Sequence, residues 1–91
     1  MSSAIIDGAT IRSPDDLHDV LAAVLELPPY YGRNLDALWD CLTGWIEPPV
    51  EVVWREFALS RERLGAYADR TLEVLRRAAG EVEGLTVRVE E

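Results

Sequence analysis

The chain has no lysine, a single cysteine, a single histidine and no long apolar run. Each shortage removes a class of protein. Cys41 has no partner for an internal disulfide, which excludes the stapled frameworks of small secreted domains. One histidine and one cysteine cannot supply a ligand cluster at the spacings of a zinc site. A helix that crosses a bilayer needs roughly twenty consecutive apolar residues, and no stretch approaches that length. The opening MSSAIIDG lacks the charged leader and apolar segment of a secretory signal, so the expected compartment is the cytoplasm. Cationic charge is scarce: nine basic residues, all arginine, face 17 acidic ones, for a formal net charge of −8. That balance opposes direct binding to nucleic acid or to anionic membranes and favours a basic partner.

What is present suits one domain. Ninety-one residues, 48% of them hydrophobic, provide one modest core and too little for two, so residues 1–91 are expected to form a single unit. Ala4-Ile5-Ile6 before Asp7-Gly8 predicts a strand and a turn. Ser13 predicts an N-cap, with Pro14 at the first helical position and Asp15 and Asp16 favoured there by the helix dipole. Leu17, Val20, Leu21, Val24 and Leu25 follow at helical spacing, until Leu27-Pro28-Pro29 ends the helix. His18 falls on the polar side of that helix and reads as a surface residue. Asn34 is placed to cap a second helix with Leu35, Leu38, Trp39 and Leu42 on its apolar stripe and Gly44 at its end. Val50 to Trp54 predicts a strand and Glu56 to Leu64 a short helix. A further helix is expected from about Ala66 to Ala79, with Ala68, Leu72, Leu75 and Ala79 inward, Arg76 and Arg77 in its last turn and Gly80 as terminator. Leu85 to Val89 alternates as a final strand, and the first few residues and Glu90-Glu91 are expected to fray. Strands alternating with helices predict an α/β fold: a small three-stranded parallel sheet packed by about four helices.

The stretch YYGRNLDALWDCLTGW, Tyr30 to Trp45, holds four of the six Trp and Tyr residues. Asp36, Asp40 and Thr43 share one face of the second helix, away from the leucines. Asp36 in the first turn gains from the helix dipole, whereas Asp40 near the other end loses about 0.3–1 kcal/mol by it. Two aspartates one turn apart repel by about 0.2–0.5 kcal/mol. From Asn34 through Trp54 there is no arginine, while Asp36, Asp40, Glu47 and Glu51 all fall in that window. Tyr30 and Tyr31 add rigid contact area in the preceding loop. Charged helix faces are usually just solvated. Here the aromatic and acidic groups combine into a candidate surface for something cationic. Trp54 in its apolar strand reads as core, and Cys41 as a small buried hydrophobe.

Tyr30-Tyr31-Gly32 and the run Asn34 to Trp45 closely resemble the barstar family, intracellular inhibitors of barnase-type ribonucleases. The likeness continues through Ile11-Arg12-Ser13, Asp16-Leu17-His18, Leu27-Pro28 and Trp54-Arg55 with Phe57. The resemblance implies a stoichiometric 1:1 complex with a secreted guanyl-specific ribonuclease, blocked by the second helix and the loop before it. It implies that Asp40 anchors the contact by occupying the place of an RNA phosphate and accepting hydrogen bonds from arginines and a histidine. Asp36, Trp39, Thr43, Gly44 and Tyr30 would surround it, with Asn34 at the margin and Tyr31, Arg33, Trp45, Glu47, Arg77 and Glu81 as rim candidates. Arg33 and Arg77 stand where the family's best-known member carries glutamates, and the second of those acids contacts the enzyme. A reversed charge there would redirect recognition, with Glu81 available as a substitute.

Two other functions compete. One is a binding module of the same fold whose acidic face meets a basic partner that is not a nuclease. The other is an enzyme, which requires carboxylates in contrasting environments around a cleft; two exposed aspartates on one helix do not supply that. No cofactor or metal is implied.

Overall fold

Ser2–Asp7 (β1), Val50–Arg55 (β2) and Leu85–Val89 (β3) lie side by side in that order and run parallel in the computed structural model, which describes residues 2–91. Met1 lies outside the described residues, and with it part of the expected frayed start. Four helices connect the strands: Pro14–Val24 (α1) and Leu35–Gly44 (α2) between β1 and β2, then Phe57–Leu64 (α3) and Ala66–Glu81 (α4) between β2 and β3. A 3₁₀ turn, Gly8–Thr10, follows β1. The fold is therefore α/β with a three-stranded parallel sheet and four helices, as the alternation of patterns predicts.

The strand sequences explain the layering. Central β2 is apolar on both faces, with Val52, Val53 and Trp54 all buried, as the middle strand of a parallel sheet requires. Edge strand β1 alternates, turning Ala4 and Ile6 inward and Ser3, Ile5 and Asp7 outward. In register, Ala4, Val52 and Val87 form one inner row, and Ile6, Trp54 and Val89 the next. Against these rows pack Leu17 and Leu21 of α1, Leu38 and Leu42 of α2, and Leu75 of α4, each fully buried. Burying one such side chain contributes about 1.5–3 kcal/mol, so the leucine stripe outweighs by far the charge penalties on the other face of α2. Trp54 meets Phe57 edge-on at 4.9 Å and donates its indole N–H to Ser60 Oγ at 3.1 Å. Gly8 is needed at the same corner, because a Cβ there would lie 2.3 Å from the Arg55 carbonyl oxygen.

Helix ends account for most differences from expectation. Ser13 caps α1 by accepting from the Asp16 amide, and the Asp16 carboxylate in turn accepts from the Arg12 amide. The helix stops at Val24, before the prolines. Glu26 takes a left-handed conformation (φ 52°), and the Leu27 and Glu26 amides bond back to the Ala22 and Ala23 carbonyls. At the other end of the chain, α4 runs through Gly80 to Glu81, because Ala78 is buried and Val82 caps it with an amide bond to the Ala78 carbonyl. The left-handed turn instead falls at Gly84 (φ 90°), and Arg76 and Arg77 lie one turn earlier than the last. Within the described residues, Ser2, Ser3 and Glu90 are held where fraying is expected. Ser2 and Ser3 extend β1 by pairing with Val50 and Glu51, and Glu90 is held by Trp54 and Phe57 backbone bonds and ion pairs to Arg55 and Arg88.

One residue is corrected outright. His18 is not on the surface: it is 1% exposed, with Nδ1 2.6 Å from the Tyr31 hydroxyl and Nε2 2.6 Å from the Tyr67 hydroxyl. Tyr31 in the loop before α2 and Tyr67 in the first turn of α4 cover this one position, while Asp15 and Asp19 beside it stay exposed, and helical periodicity within α1 reveals neither cover. A neutral imidazole donates from one nitrogen and accepts at the other, so both ring nitrogens are satisfied between two hydroxyls. Burial pushes the His18 pKa below its ordinary value, and nearby Arg33 pushes the same way against Asp15 and Asp19. Burial likewise raises the Tyr31 and Tyr67 hydroxyl pKa values.

Candidate functional site

Helix α2 starts where the sequence predicts. The Asn34 side chain accepts from the Ala37 amide at 2.7 Å, and its own amide nitrogen donates to the Gly32 carbonyl. One cap thus fixes both the first turn of the helix and the loop before it. Leu38, Cys41 and Leu42 face the core. Asp36, Asp40, Thr43 and Gly44 face solvent, and Trp39 is half-buried between the two sides. Among the described residues neither Asp36 nor Asp40 has an ion-pair partner. The Thr43 hydroxyl donates back to the Trp39 carbonyl at 2.8 Å, which fixes its rotamer and leaves its oxygen outward as an acceptor.

Gly44 closes the exposed face of α2. It is helical, with no positive φ to accommodate, and a Cβ built on it would meet nothing within 4 Å. Glycine in a helix costs about 0.5–1 kcal/mol relative to alanine, and here no packing within the chain requires it. An open patch of backbone beside an aspartate suits the close approach of another molecule.

The aromatic margin is built from outside α2. Tyr30 is 75% exposed and stands edge-on to Trp45, ring centroids 6.1 Å apart. Trp45, 45% exposed, donates its indole N–H to the Glu26 carbonyl at 3.1 Å. The left-handed end of α1 therefore orients the ring on which Tyr30 leans, a role for Glu26 that sequence reading missed because the two residues are nineteen apart. Tyr31, a rim candidate, is instead buried, its ring packed in the core and its hydroxyl on His18.

The remaining rim candidates divide. Glu47 and Glu81 are exposed, and Arg77 lies 4.0 Å from Glu73 one turn back on α4. Arg33 does not reach over the α2 face. Its guanidinium turns back to α1, where it pairs with the Asp19 carboxylate, lies 3.8 Å from the Asp15 carboxylate, and donates to the Asp15 carbonyl at 3.2 Å. Cys41 is a buried free thiol whose pKa is raised by desolvation and then by Asp40, the opposite of an activated nucleophile.

The assembled surface is acceptor-rich and, among the described residues, unneutralised, with the exposed rings of Tyr30 and Trp45 along one edge. It can receive arginine, lysine or imidazolium donors; it has no acid and base pair aimed at a common point. A family model described as Barstar (barnase inhibitor) matches residues 1–90. A protein of Bacillus subtilis (strain 168) named "Putative ribonuclease inhibitor YrdF" is 49% identical over 83 residues, which cover 91% of each chain.

Proposed function

The chain belongs to the barstar family, whose members are ribonuclease inhibitors and not enzymes, and from that membership we propose that it blocks the active site of a secreted guanyl-specific ribonuclease in a 1:1 complex. The observation that carries this reading is the exposed Asp36/Asp40 face of α2, which has no ion-pair partner among the described residues. Asp40 acts as the stand-in for an RNA phosphodiester, accepting charge-assisted hydrogen bonds from the cations that would otherwise hold the substrate. Asp36, Thr43 and the Gly44 backbone surround it, Trp39 and Tyr30 supply apolar contact, and Asn34 closes the margin. Trp45, Glu47 and Glu81 form the rim. Charges that cost stability in the free protein find their compensation in the enzyme's cleft, and the net charge of −8 speeds encounter with a basic nuclease. The protein protects the cytoplasm of its own cell.

Titration of a guanyl-specific ribonuclease with the purified protein tests this. Activity should fall linearly to an equivalence point at one inhibitor per enzyme, and Asp40→Ala should abolish that end point. Equal inhibition by both proteins would remove Asp40 from its role. The reversed charge at Arg77 favours a target whose margin differs from that of the best-known family member's enzyme. Recovery from cell extract of a basic protein without RNA-cleaving activity would instead support the non-nuclease partner.

A further inference from the structure

Three residues of α1 that lie outside the acidic face hold the loop that leads into it. Asp15, His18 and Asp19 follow at i, i+3 and i+4, one side of the helix. Asp15 and Asp19 grip the Arg33 guanidinium, and His18 Nδ1 shares a hydrogen bond with the Tyr31 hydroxyl. Arg33 sits at φ 57°, a left-handed conformation that is unfavourable for a residue with a side chain. Among the described residues, the contacts on its charged end are to α1.

The direction of that hold matters. Arg33 immediately precedes Asn34, the cap of α2, and lies three residues from Asp36. An arginine released from α1 is free to bring its positive charge beside the first turn of α2, where a cationic partner would meet repulsion. With its charge folded back between two carboxylates, it does not do so.

Resting on the inhibitor reading above, we propose that Asp15 and Asp19 are positioning residues for inhibition: they hold Arg33 off the α2 face, and so keep that face negative, without touching the ribonuclease. Position 33 is thereby a specificity switch whose state is set by α1. The clamp makes a reversed charge at the margin compatible with a cationic target.

A double-mutant cycle separates this from simple charge loss. Asp15→Asn with Asp19→Asn removes two negative charges whether or not Arg33 is present, and Arg33→Gln removes the cation while keeping chain length and backbone geometry. The pair of asparagines should weaken inhibition about tenfold in the wild-type background and less than about twofold in the Arg33→Gln background, since coupling between groups in contact is commonly near 1 kcal/mol. The loss should reside in slower association that salt attenuates. Equal losses in both backgrounds, or a marked loss from Arg33→Gln alone, would overturn the clamp. Amide exchange of residues 31–34 in the free protein provides a readout without the enzyme: it should rise in the Asp15→Asn/Asp19→Asn variant, and unchanged exchange would likewise overturn the proposal. If the wild type leaves the ribonuclease active while that exchange rises as expected, the inhibitor reading falls and the clamp stands.

Discussion

Helices α1 and α2 carry the same local pattern, a pair of aspartates one turn apart: Asp15 and Asp19 on the first, Asp36 and Asp40 on the second. Their fates differ. The α1 pair is bridged by Arg33, and its neighbour Asp16 is used in the N-terminal cap. The α2 pair is bridged by nothing among the described residues. Charge by itself therefore says little about function; the absence of compensation, on a helix whose other face is well packed, says more. Arg33, the cation next to the α2 cap in sequence, is committed to the pair that the proposed partner does not need.

That contrast can be broken in several ways, beginning with the strongest. Asp40→Ala should weaken inhibition by about 4 kcal/mol, roughly a thousandfold in inhibition constant, because truncating a central, desolvated charge strands the donors facing it. Substituting the opposite, buried face of the same helix should act on stability instead: Leu38→Ala should cost about 3 kcal/mol in denaturant unfolding, from lost burial and the cavity left behind. A third test is pH. The folded-state pKa of His18 lies below its unfolded value, so its contribution is complete above about 6.5, the ordinary histidine value, and is lost as pH falls from there toward the folded pKa. Unfolding free energy of the wild type should drop across that window, and His18→Gln should flatten the drop. The smallest effect runs the other way. Asp40→Asn should raise stability by about 0.5–1 kcal/mol by relieving the helix dipole and the repulsion from Asp36, while still impairing inhibition. A stability loss for that variant would mean that the α2 pair has a structural partner after all.

How much of this was legible in the sequence follows from the range of the interactions. The α2 face is encoded within twelve residues by an asparagine cap, a leucine stripe and a turn-spaced acid pair, so periodicity alone places Asp36, Asp40 and Thr43 correctly. Strand β2 is similarly self-declaring. His18 was misread because its burial depends on Tyr31 and on Tyr67, the latter 49 residues away, and no local pattern reports a cover that distant. The resemblance makes Arg33 a rim candidate, but the direction of its guanidinium depends on partners that sit on another helix. Gly80 carried a stop signal that the burial of Ala78 overrode. Long-range cover and the direction of long side chains were the illegible part; helix faces and strand order were not.

The burial of Trp54 against Phe57 and Ser60, set beside the exposure of Trp45, has a practical outcome for spectroscopy. Light emitted by the enclosed indole should lie at shorter wavelength and change only when the core melts. The outer indole emits further to the red and can be reached by soluble quenchers until a partner shields it. Trp39, the third indole, sits half-buried on α2 and adds to the outer signal, so one untagged sample reports on folding through Trp54 and on docking through Trp39 and Trp45.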